Sequence, residues 1–346
     1  MDITVIVTTL NRSKNLKALL DSMLSQDFPK SSFEIIIVDN GSIDDTRKVC
    51  NSYVSRFPNF TYLYDERPGQ IVGWHRGLEI SQGEVCCFID DDVSPQPSWL
   101  LGVSDAYRDK EVGLATGPIT LDFEKPPPEW INCMLIGESG AQTLPAFGLL
   151  DCGKSVREIP GNFVWGTNFT VRKSCLYEVK GFHPCAMPAH LLKFHGDGEI
   201  YVGKSIDKMG RKVLYHPDIS VVHNISTARL SLKSIKSKFI TTGVTRSFSL
   251  LRELNGPYDL PSYSEFNEMT LRYFTKPADA PKELIQTIQE GLTYGVSHHL
   301  KNFIEDENFR NWVLHDNYLD LARCYVHHEL MSKTTGSGLI DWRSGL

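Results

Sequence analysis

The run at residues 85–92 is Val85-Cys86-Cys87-Phe88-Ile89-Asp90-Asp91-Asp92, an apolar segment that ends in three adjacent carboxylates. A short apolar run between polar segments is typical of a strand buried on both faces, as in a parallel sheet. Carboxylates at the end of such a strand repel one another and lose hydration, so a divalent cation is a natural compensation. Mg²⁺ and Mn²⁺ often bind through one or two carboxylates together with phosphates of a substrate. A solvated acidic turn is the other interpretation, and the triad alone leaves both open.

Short apolar runs alternate with helix-like segments through about residue 120. Ile3–Val7 and Phe33–Val38 are apolar and rich in β-branched residues, whereas apolar residues recur at helical spacing over 16–24 and 71–80. Strand, helix and strand joined by short links predict parallel β-α-β units. We therefore expect an α/β fold with a Rossmann-like, mostly parallel sheet flanked by helices.

Polar segments directly follow three of the predicted strands. These segments are Thr8-Thr9-Leu10-Asn11-Arg12, Asp39-Asn40-Gly41-Ser42 and Asp90-Asp91-Asp92. Ligands of such sheets bind beyond the carboxyl ends of the strands, so the three segments should meet at one site. Their shared position favours the metal interpretation of the acidic triad over the solvated turn.

Composition and length restrict the class of protein. The chain has 346 residues, 41% of them hydrophobic, and a formal net charge of -6, which suits an ordinary enzyme core and argues against bulk nucleic-acid binding. The N-terminus has no basic start and no small-residue cleavage site, and no apolar run approaches the roughly 18 residues that a membrane span needs. We expect a cytoplasmic protein.

Two further segments, later in the chain, combine glycine with polar or acidic residues. They are Gly166-Thr167-Asn168-Phe169, followed by Arg172, and His195-Gly196-Asp197-Gly198-Glu199-Ile200. Together with the three polar segments, and in this order, they resemble family 2 glycosyltransferases of the GT-A fold over roughly residues 1–225. The resemblance implies an inverting transferase that moves a sugar from a nucleotide-diphosphate sugar, most naturally a UDP-sugar, to a hydroxyl of a glycan or lipid-linked glycan. It also implies a divalent metal, Mn²⁺ or Mg²⁺, on a DxD-type motif.

The resemblance assigns roles to individual residues. Those implied for the nucleotide sugar are Thr8, Thr9, Asn11, Arg12, Asp39, Asn40, Arg67, Gly69, Arg76, Asp90, Asp91, Trp165 and Gly166. Asp90, Asp92 and His223 would hold the metal. Asp197 would be the general base, but Gly196 stands where the family often has Glu, and a slip in the alignment makes Glu199 the base instead. Gly73-Trp74-His75-Arg76-Gly77 replaces the family's Ala-Arg-Asn, so Arg67 or Arg76 would supply the arginine contact.

Structural interpretations remain open for several of these residues. Asp197 could cap the helix that starts near Gly198, and His223 could simply be hydrogen-bonded at a strand end. Trp74 and Trp165 could stack on sugars or belong to the core. One metal motif with one distant acid suits transfer better than glycoside hydrolysis, which uses a carboxylate pair.

The predicted division has a GT-A domain at 1–227 and a mainly helical C-terminal region at 228–346. The nucleotide-sugar half would cover about 1–120 and the acceptor half about 121–227, where Pro126-Pro127-Pro128 predicts loops over the site. Lys233, Lys236 and Lys238 suggest either a solvated helix face or peripheral contact with the inner face of a membrane or a lipid-linked acceptor. The helical region could also form an oligomer interface.

Two other functions fit the same pattern less well. A sugar nucleotidyltransferase usually opens with a glycine-rich phosphate loop, and residues 8–12 contain no glycine. A non-catalytic nucleotide-sugar-binding relative would not need the acidic triad together with Asp197.

Overall fold

A computed structural model describes residues 2–67, 69–138, 140–254, 263–271 and 280–320. The strands within these ranges are β1 Ile3–Thr9, β2 Phe33–Asp39, β3 Phe60–Tyr64, β4 Val85–Phe88, β5 Val93–Pro95, β6 Val112–Thr116, β7 Ile119–Phe123, β8 Ile136–Glu138, β9 Ala141–Leu144, β10 Leu149–Asp151, β11 Arg157–Glu158, β12 Phe169–Arg172, β13 Lys212–Tyr215 and β14 Val221–Ile225. The α-helices are α1 Ser13–Leu24, α2 Thr46–Tyr53, α3 Gln70–Ile80, α4 Trp99–Ala106, α5 Lys173–Glu178, α6 Gly198–Lys208, α7 Leu232–Glu253, α8 Tyr263–Leu271, α9 Lys282–Glu305 and α10 Glu307–Val313. The part of the predicted helical region at 321–346 lies outside the described residues.

The larger sheet confirms the predicted α/β class. Its strand order is β11-β13-β6-β12-β4-β1-β2-β3, and β1, β2, β3 and β4 run parallel. Every residue of β1 and β2 is buried, which explains why these strands read as continuous apolar runs. The register pairs Thr9 with Asp39, so the polar segments after β1 and β2 begin side by side. The sheet is less uniformly parallel than the sequence predicts, because β12 lies antiparallel between β4 and β6.

The glycines of α3 let this helix approach β1 closely. A Cβ atom added at Gly77 would lie 2.5 Å from Ile6 Cγ2, and one added at Gly73 would overlap the side chain of Thr8. The segment that departs from the family's usual Ala-Arg-Asn is therefore explained by helix-sheet packing.

A second sheet occupies part of the region predicted to be loops. Its order is β5-β14-β7-β10-β9-β8, and β8, β9 and β10 lie within 121–160. The prediction of loops there was wrong for these residues, because strands of three or four residues are too short to show a clear hydrophobic period. This sheet places the turn between β9 and β10 beside the ends of β4 and β14.

The described part of the C-terminal region is helical, as predicted. α7 and α9 pack closely because glycines line their contact: a Cβ atom added at Gly291 would lie 2.8 Å from the carbonyl oxygen of Lys236. Phe248 and Val296 belong to the same apolar core as the large sheet. The boundary at residue 227 stays a prediction. No described helix has the length and apolar character needed to cross a membrane.

Candidate active site

The predicted polar segments meet in a recess of about 710 Å³, a size suited to a nucleotide sugar. Its walls come from the end of β1, the end of β4, the β9–β10 turn, the segment before β12, the loop before α6, β14 and α7. The contributing residues include Thr8, Thr9, Arg12, Asn40, Asp90, Asp91, Asp92, Trp74, Trp165, Gly166, Asp197, Glu199 and His223. Segments far apart in sequence are thus brought together at the carboxyl edge of the sheet.

Arg12 holds two members of the acidic triad. Its Nη1 donates to Asp91 Oδ1 at 2.5 Å and its Nη2 to Asp92 Oδ2 at 3.0 Å, while Thr9 Oγ1 donates to Asp91 Oδ2 at 2.7 Å. Burial raises the pKa of Asp91 to about 6 despite these partners. Both oxygens of Asp91 are occupied, so this residue fixes the loop after β1.

Asp90 is the triad member most open to the recess. It is half-buried, and its Oδ1 accepts a hydrogen bond from Gln70 Nε2 at 2.7 Å. Among the described residues, Asp90 Oδ2 has no hydrogen-bond partner. Burial and the adjacent Asp92 carboxylate raise the pKa of Asp90. A carboxylate oxygen without a hydrogen-bond partner among the described residues therefore lies at the recess.

Asp92 lies between His223 and two arginines. His223 Nε2 is 3.4 Å from Asp92 Oδ1, and Arg229 Nη1 is 3.7 Å from Asp92 Oδ2. Burial opposes ionisation of Asp92, but His223, Arg12 and Arg229 outweigh it and lower its pKa. His223 Nδ1 lies 2.7 Å from the carbonyl oxygen of Phe147, which can only accept, so Nδ1 carries a proton, and Nε2 lies 3.0 Å from Arg229 Nη1. A metal-binding histidine commonly donates one ring N–H to a backbone carbonyl in the same way.

The described part of the chain holds no cluster of three or more His, Cys, Asp or Glu side chains that could by itself bind a metal ion. Asp90 and Asp92 with the nearby His223 nonetheless fit a divalent cation of the kind that also takes phosphate oxygens of a substrate, because such cations use few protein ligands. The chemistry of the donor set is thus compatible with Mn²⁺ or Mg²⁺.

Asp197 precedes α6, and its carboxylate is fully engaged. Oδ1 lies 2.5 Å from His183 Nδ1, and Oδ2 accepts a hydrogen bond from Ser249 Oγ at 2.6 Å. It makes no capping hydrogen bond to α6, so the cap interpretation is wrong for its side chain. Burial opposes its ionisation, but His183 and Ser249 more than compensate and lower its pKa.

The environment of Glu199 raises its pKa, in contrast to that of Asp197. Its Oε1 accepts a hydrogen bond from the Gly166 backbone N–H at 3.2 Å, and the side chain is half-buried in the recess. Burial and, to a smaller extent, the Asp90 carboxylate raise its pKa. Of the two candidates for the base, Glu199 thus has the more basic carboxylate, and among the other described residues only Gly166 donates a hydrogen bond to it.

Five of the residues assigned to the nucleotide sugar do not line the recess. They are Asn11, Asp39, Arg67, Gly69 and Arg76. Asp39 accepts hydrogen bonds from the Ser42 backbone and from Tyr62 Oη, and the guanidinium groups of Arg67 and Arg76 are paired with Asp65 and Glu79. Asn11, with a φ of 54°, and Gly69, with a φ of 104°, shape loops. Their roles in donor binding stay predictions.

Sequence reasoning missed the contribution of α7. Lys238, Thr241, Thr242 and Thr245 line the recess. Their spacing of three, four and seven residues places them on one face of a helix, which is the signal that could have identified them. Lys238, one of the three lysines for which the sequence suggested a solvated face or contact with a membrane or a lipid-linked acceptor, lines the recess. Lys236 on the same helix instead pairs with Glu290.

The fold and this recess define the class of GT-A glycosyltransferases. Two solved structures of that class resemble the chain: the mannosyltransferase PcManGT of Pyrobaculum calidifontis, in complex with GDP-Man and Mn²⁺, and Staphylococcus aureus TarS 1–349, in complex with UDP-GlcNAc. PcManGT is 17% identical with a TM-score of 0.53, covering 93% of this chain and 86% of its own. TarS 1–349 is 15% identical with a TM-score of 0.52, covering 94% and 92%. At these identities the likeness concerns the fold.

Residues 4–176 match the sequence model described as glycosyl transferase family 2, and the chain belongs to that family. Among curated relatives, the glycosyltransferase AglE of Haloferax volcanii is 25% identical over 222 residues, which are 64% of this chain and 66% of AglE. The poly(ribitol-phosphate) β-N-acetylglucosaminyltransferase TarS is 33% identical over 93 residues, 27% of this chain and 16% of TarS. The chain thus spans less than two thirds of the length of these relatives.

Proposed function

We propose that the chain transfers a sugar from a UDP-sugar to a hydroxyl of a glycan or lipid-linked glycan, with inversion at the anomeric carbon. The observation that carries the proposal is that Asp90 and Glu199 open to one recess, each with a single hydrogen-bond donor among the other described residues. One of these carboxylates suits the diphosphate and its metal, and the other suits the attacking hydroxyl.

Residues at the end of β1 and β2 would hold the nucleotide. Thr8, Thr9, Arg12 and Asn40 form that side of the recess, and Asp39 lies directly behind Asn40. Uracil is the base that the family resemblance favours. TarS 1–349 was solved with UDP-GlcNAc, which supports this choice, whereas PcManGT was solved with GDP-Man.

Asp90, Asp92 and His223 would hold a divalent metal. The presence of Mn²⁺ in the PcManGT complex supports this part of the proposal. The metal would neutralise charge on the departing diphosphate. Arg12 keeps Asp91 and Asp92 in place for that task through its paired hydrogen bonds.

Glu199 would act as the general base. It takes the proton of the acceptor hydroxyl while that oxygen attacks the anomeric carbon, and the bond from the anomeric carbon to the diphosphate oxygen breaks with its electron pair on the diphosphate. The raised pKa of Glu199 supports this role, because a base works best when its pKa approaches the working pH. Asp197, whose pKa is lowered by His183 and Ser249, would position the loop that carries Glu199.

The variant Glu199→Gln tests this assignment. Metal-dependent hydrolysis of the UDP-sugar, with water as the acceptor, should fall by about 10²- to 10⁴-fold, the usual contribution of a general base. Binding of UDP should remain, because glutamine still accepts the hydrogen bond from Gly166. The parent should lose activity as the pH falls through a pKa above the ordinary glutamate value, and the variant should lack that dependence.

Two other variants sharpen the result. Glu178→Gln changes an exposed glutamate on α5 and should leave hydrolysis unchanged. If Glu199→Gln turns over normally while Asp197→Asn does not, the base is Asp197 and the assignment of Glu199 is wrong.

A further inference from the structure

The helix α7 presents a polar stripe to the recess. Thr241 and Thr242 donate to the carbonyl oxygens of Ser237 and Lys238, at 3.2 Å and 3.0 Å, and Thr245 donates to the carbonyl oxygen of Gly196 at 2.9 Å. The three hydroxyl protons are therefore already used within the protein. The ammonium group of Lys238 is the remaining donor of the stripe.

Lys238 differs from the other cations around the recess. Arg12 is paired with Asp91 and Asp92, and Arg229 contacts His223 and Asp92. Lys238 Nζ has neither a hydrogen bond nor an ion pair with any residue in the described ranges. Its side chain lines the recess, where it reaches solvent but is surrounded by enough protein to lose part of its hydration. A cation without a partner at a concave surface is suited to an anionic ligand.

Lys238 lines the same recess as Asp90, Arg229 and Glu199, which come from both halves of the site. Burial and Arg229 lower its pKa, whereas Glu199 and Asp90 raise it. Arg229 and Asp90 lie at the acidic triad, and Glu199 is the proposed base. In a sugar transfer, the bond that breaks lies between the triad and the base.

We propose that Lys238 binds the phosphate of the donor that is attached to the sugar. This inference rests on the proposed function. Lys238 stays protonated throughout and donates hydrogen bonds to the phosphate oxygens, while the electron pair of the broken bond passes to the oxygen between the sugar and that phosphate. A fixed cation at the point where negative charge increases stabilises the transition state more than the bound substrate.

A comparison of UDP with UMP tests the inference, because UMP lacks the phosphate in question. Calorimetric titrations in Mn²⁺ would measure both nucleotides, and GDP with GMP in parallel, against the parent and Lys238→Met. The preference of the parent for the diphosphate should fall by about tenfold or more in the variant, the worth of a charge-assisted hydrogen bond, with the affinity for the monophosphate unchanged.

Two matched variants make the outcome specific to this lysine. Lys238→Arg should keep most of the preference, because it keeps the charge. Lys236→Met removes a lysine from the same helix that pairs with Glu290 instead of facing the recess, so it should behave as the parent. Retention of the full preference in Lys238→Met would overturn the inference while leaving the proposed function intact. Failure of the parent to bind either diphosphate would overturn both.

Discussion

Asp197 and Glu199 stand two positions apart and have opposite electrostatic environments. Asp197 is hydrogen-bonded to His183 and Ser249, whereas Glu199 accepts from backbone N–H groups and has the Asp90 carboxylate nearby. The sequence identified both acids as candidates, because both follow the loop that opens a helix. It could not choose between them, since the partners of Asp197 lie on the segment before that loop and on α7.

The acidic triad was likewise predictable from the sequence only in part. Its location after an apolar strand made Asp90, Asp91 and Asp92 predictable. The pairing of Arg12 with two of them was not, because it depends on the register between β1 and β4. Likewise, the sequence could not tell that Arg67 and Arg76 are paired with acids close to them in the chain.

The network around Asp197 should contribute strongly to stability. Asp197→Ala would leave the buried His183 Nδ1 and the half-buried Ser249 Oγ without their acceptor, so we expect the free energy of unfolding to fall by about 3 kcal/mol. Denaturant titration of the parent and variant measures this change.

Asp45→Ala is the control for this stability measurement. Asp45 is exposed and, among the described residues, its side chain pairs with the exposed Lys48 alone, so the loss should stay below about 0.5 kcal/mol. An Asp197→Ala variant as stable as Asp45→Ala would mean that the His183–Asp197–Ser249 network does not form.

Helices and strands were predictable to different degrees. Strands such as β1, β2 and β4 are buried on both faces, so their apolar runs predict them directly. The short strands β8, β9 and β10 of the second sheet have no comparable pattern and depend on pairing with each other. The recess face of α7 was missed because alternating lysines and apolar residues suggested an ordinary surface helix.

The contact between α7 and α9 fixes the wall that carries Lys238. A Cβ atom added at Gly295 would lie 3.0 Å from the Val244 backbone nitrogen and would overlap the carbonyl oxygen of Ile240. Gly295→Ala should therefore lower the free energy of unfolding by about 1–3 kcal/mol, even though alanine is the better helix former. Affinity for UDP should fall with it, because α7 must shift.

Thermal or denaturant unfolding with a parallel UDP titration would measure both effects. Gln286→Ala, at an exposed position of the same helix, is the matched control and should change neither. A Gly295→Ala variant with parental stability would contradict the close packing of the two helices.

Across the full described chain, one recess joins the carboxyl edge of the large sheet, the second sheet and the C-terminal helices. The core is continuous between the sheet and α7, so the helical region forms part of the site. Family resemblance covered roughly residues 1–225 and therefore predicted the nucleotide side well. It gave no information on α7, which lies beyond that span.

In the proposed function, the acidic triad makes a metal-dependent site for a nucleoside diphosphate. The most direct test is a calorimetric titration of the parent and of Asp92→Ala with UDP and GDP, each with and without Mn²⁺. We expect the parent to bind UDP in a Mn²⁺-dependent manner, and the variant to lose that dependence. Binding that is equal with and without Mn²⁺, or no binding of either nucleotide, would contradict the account.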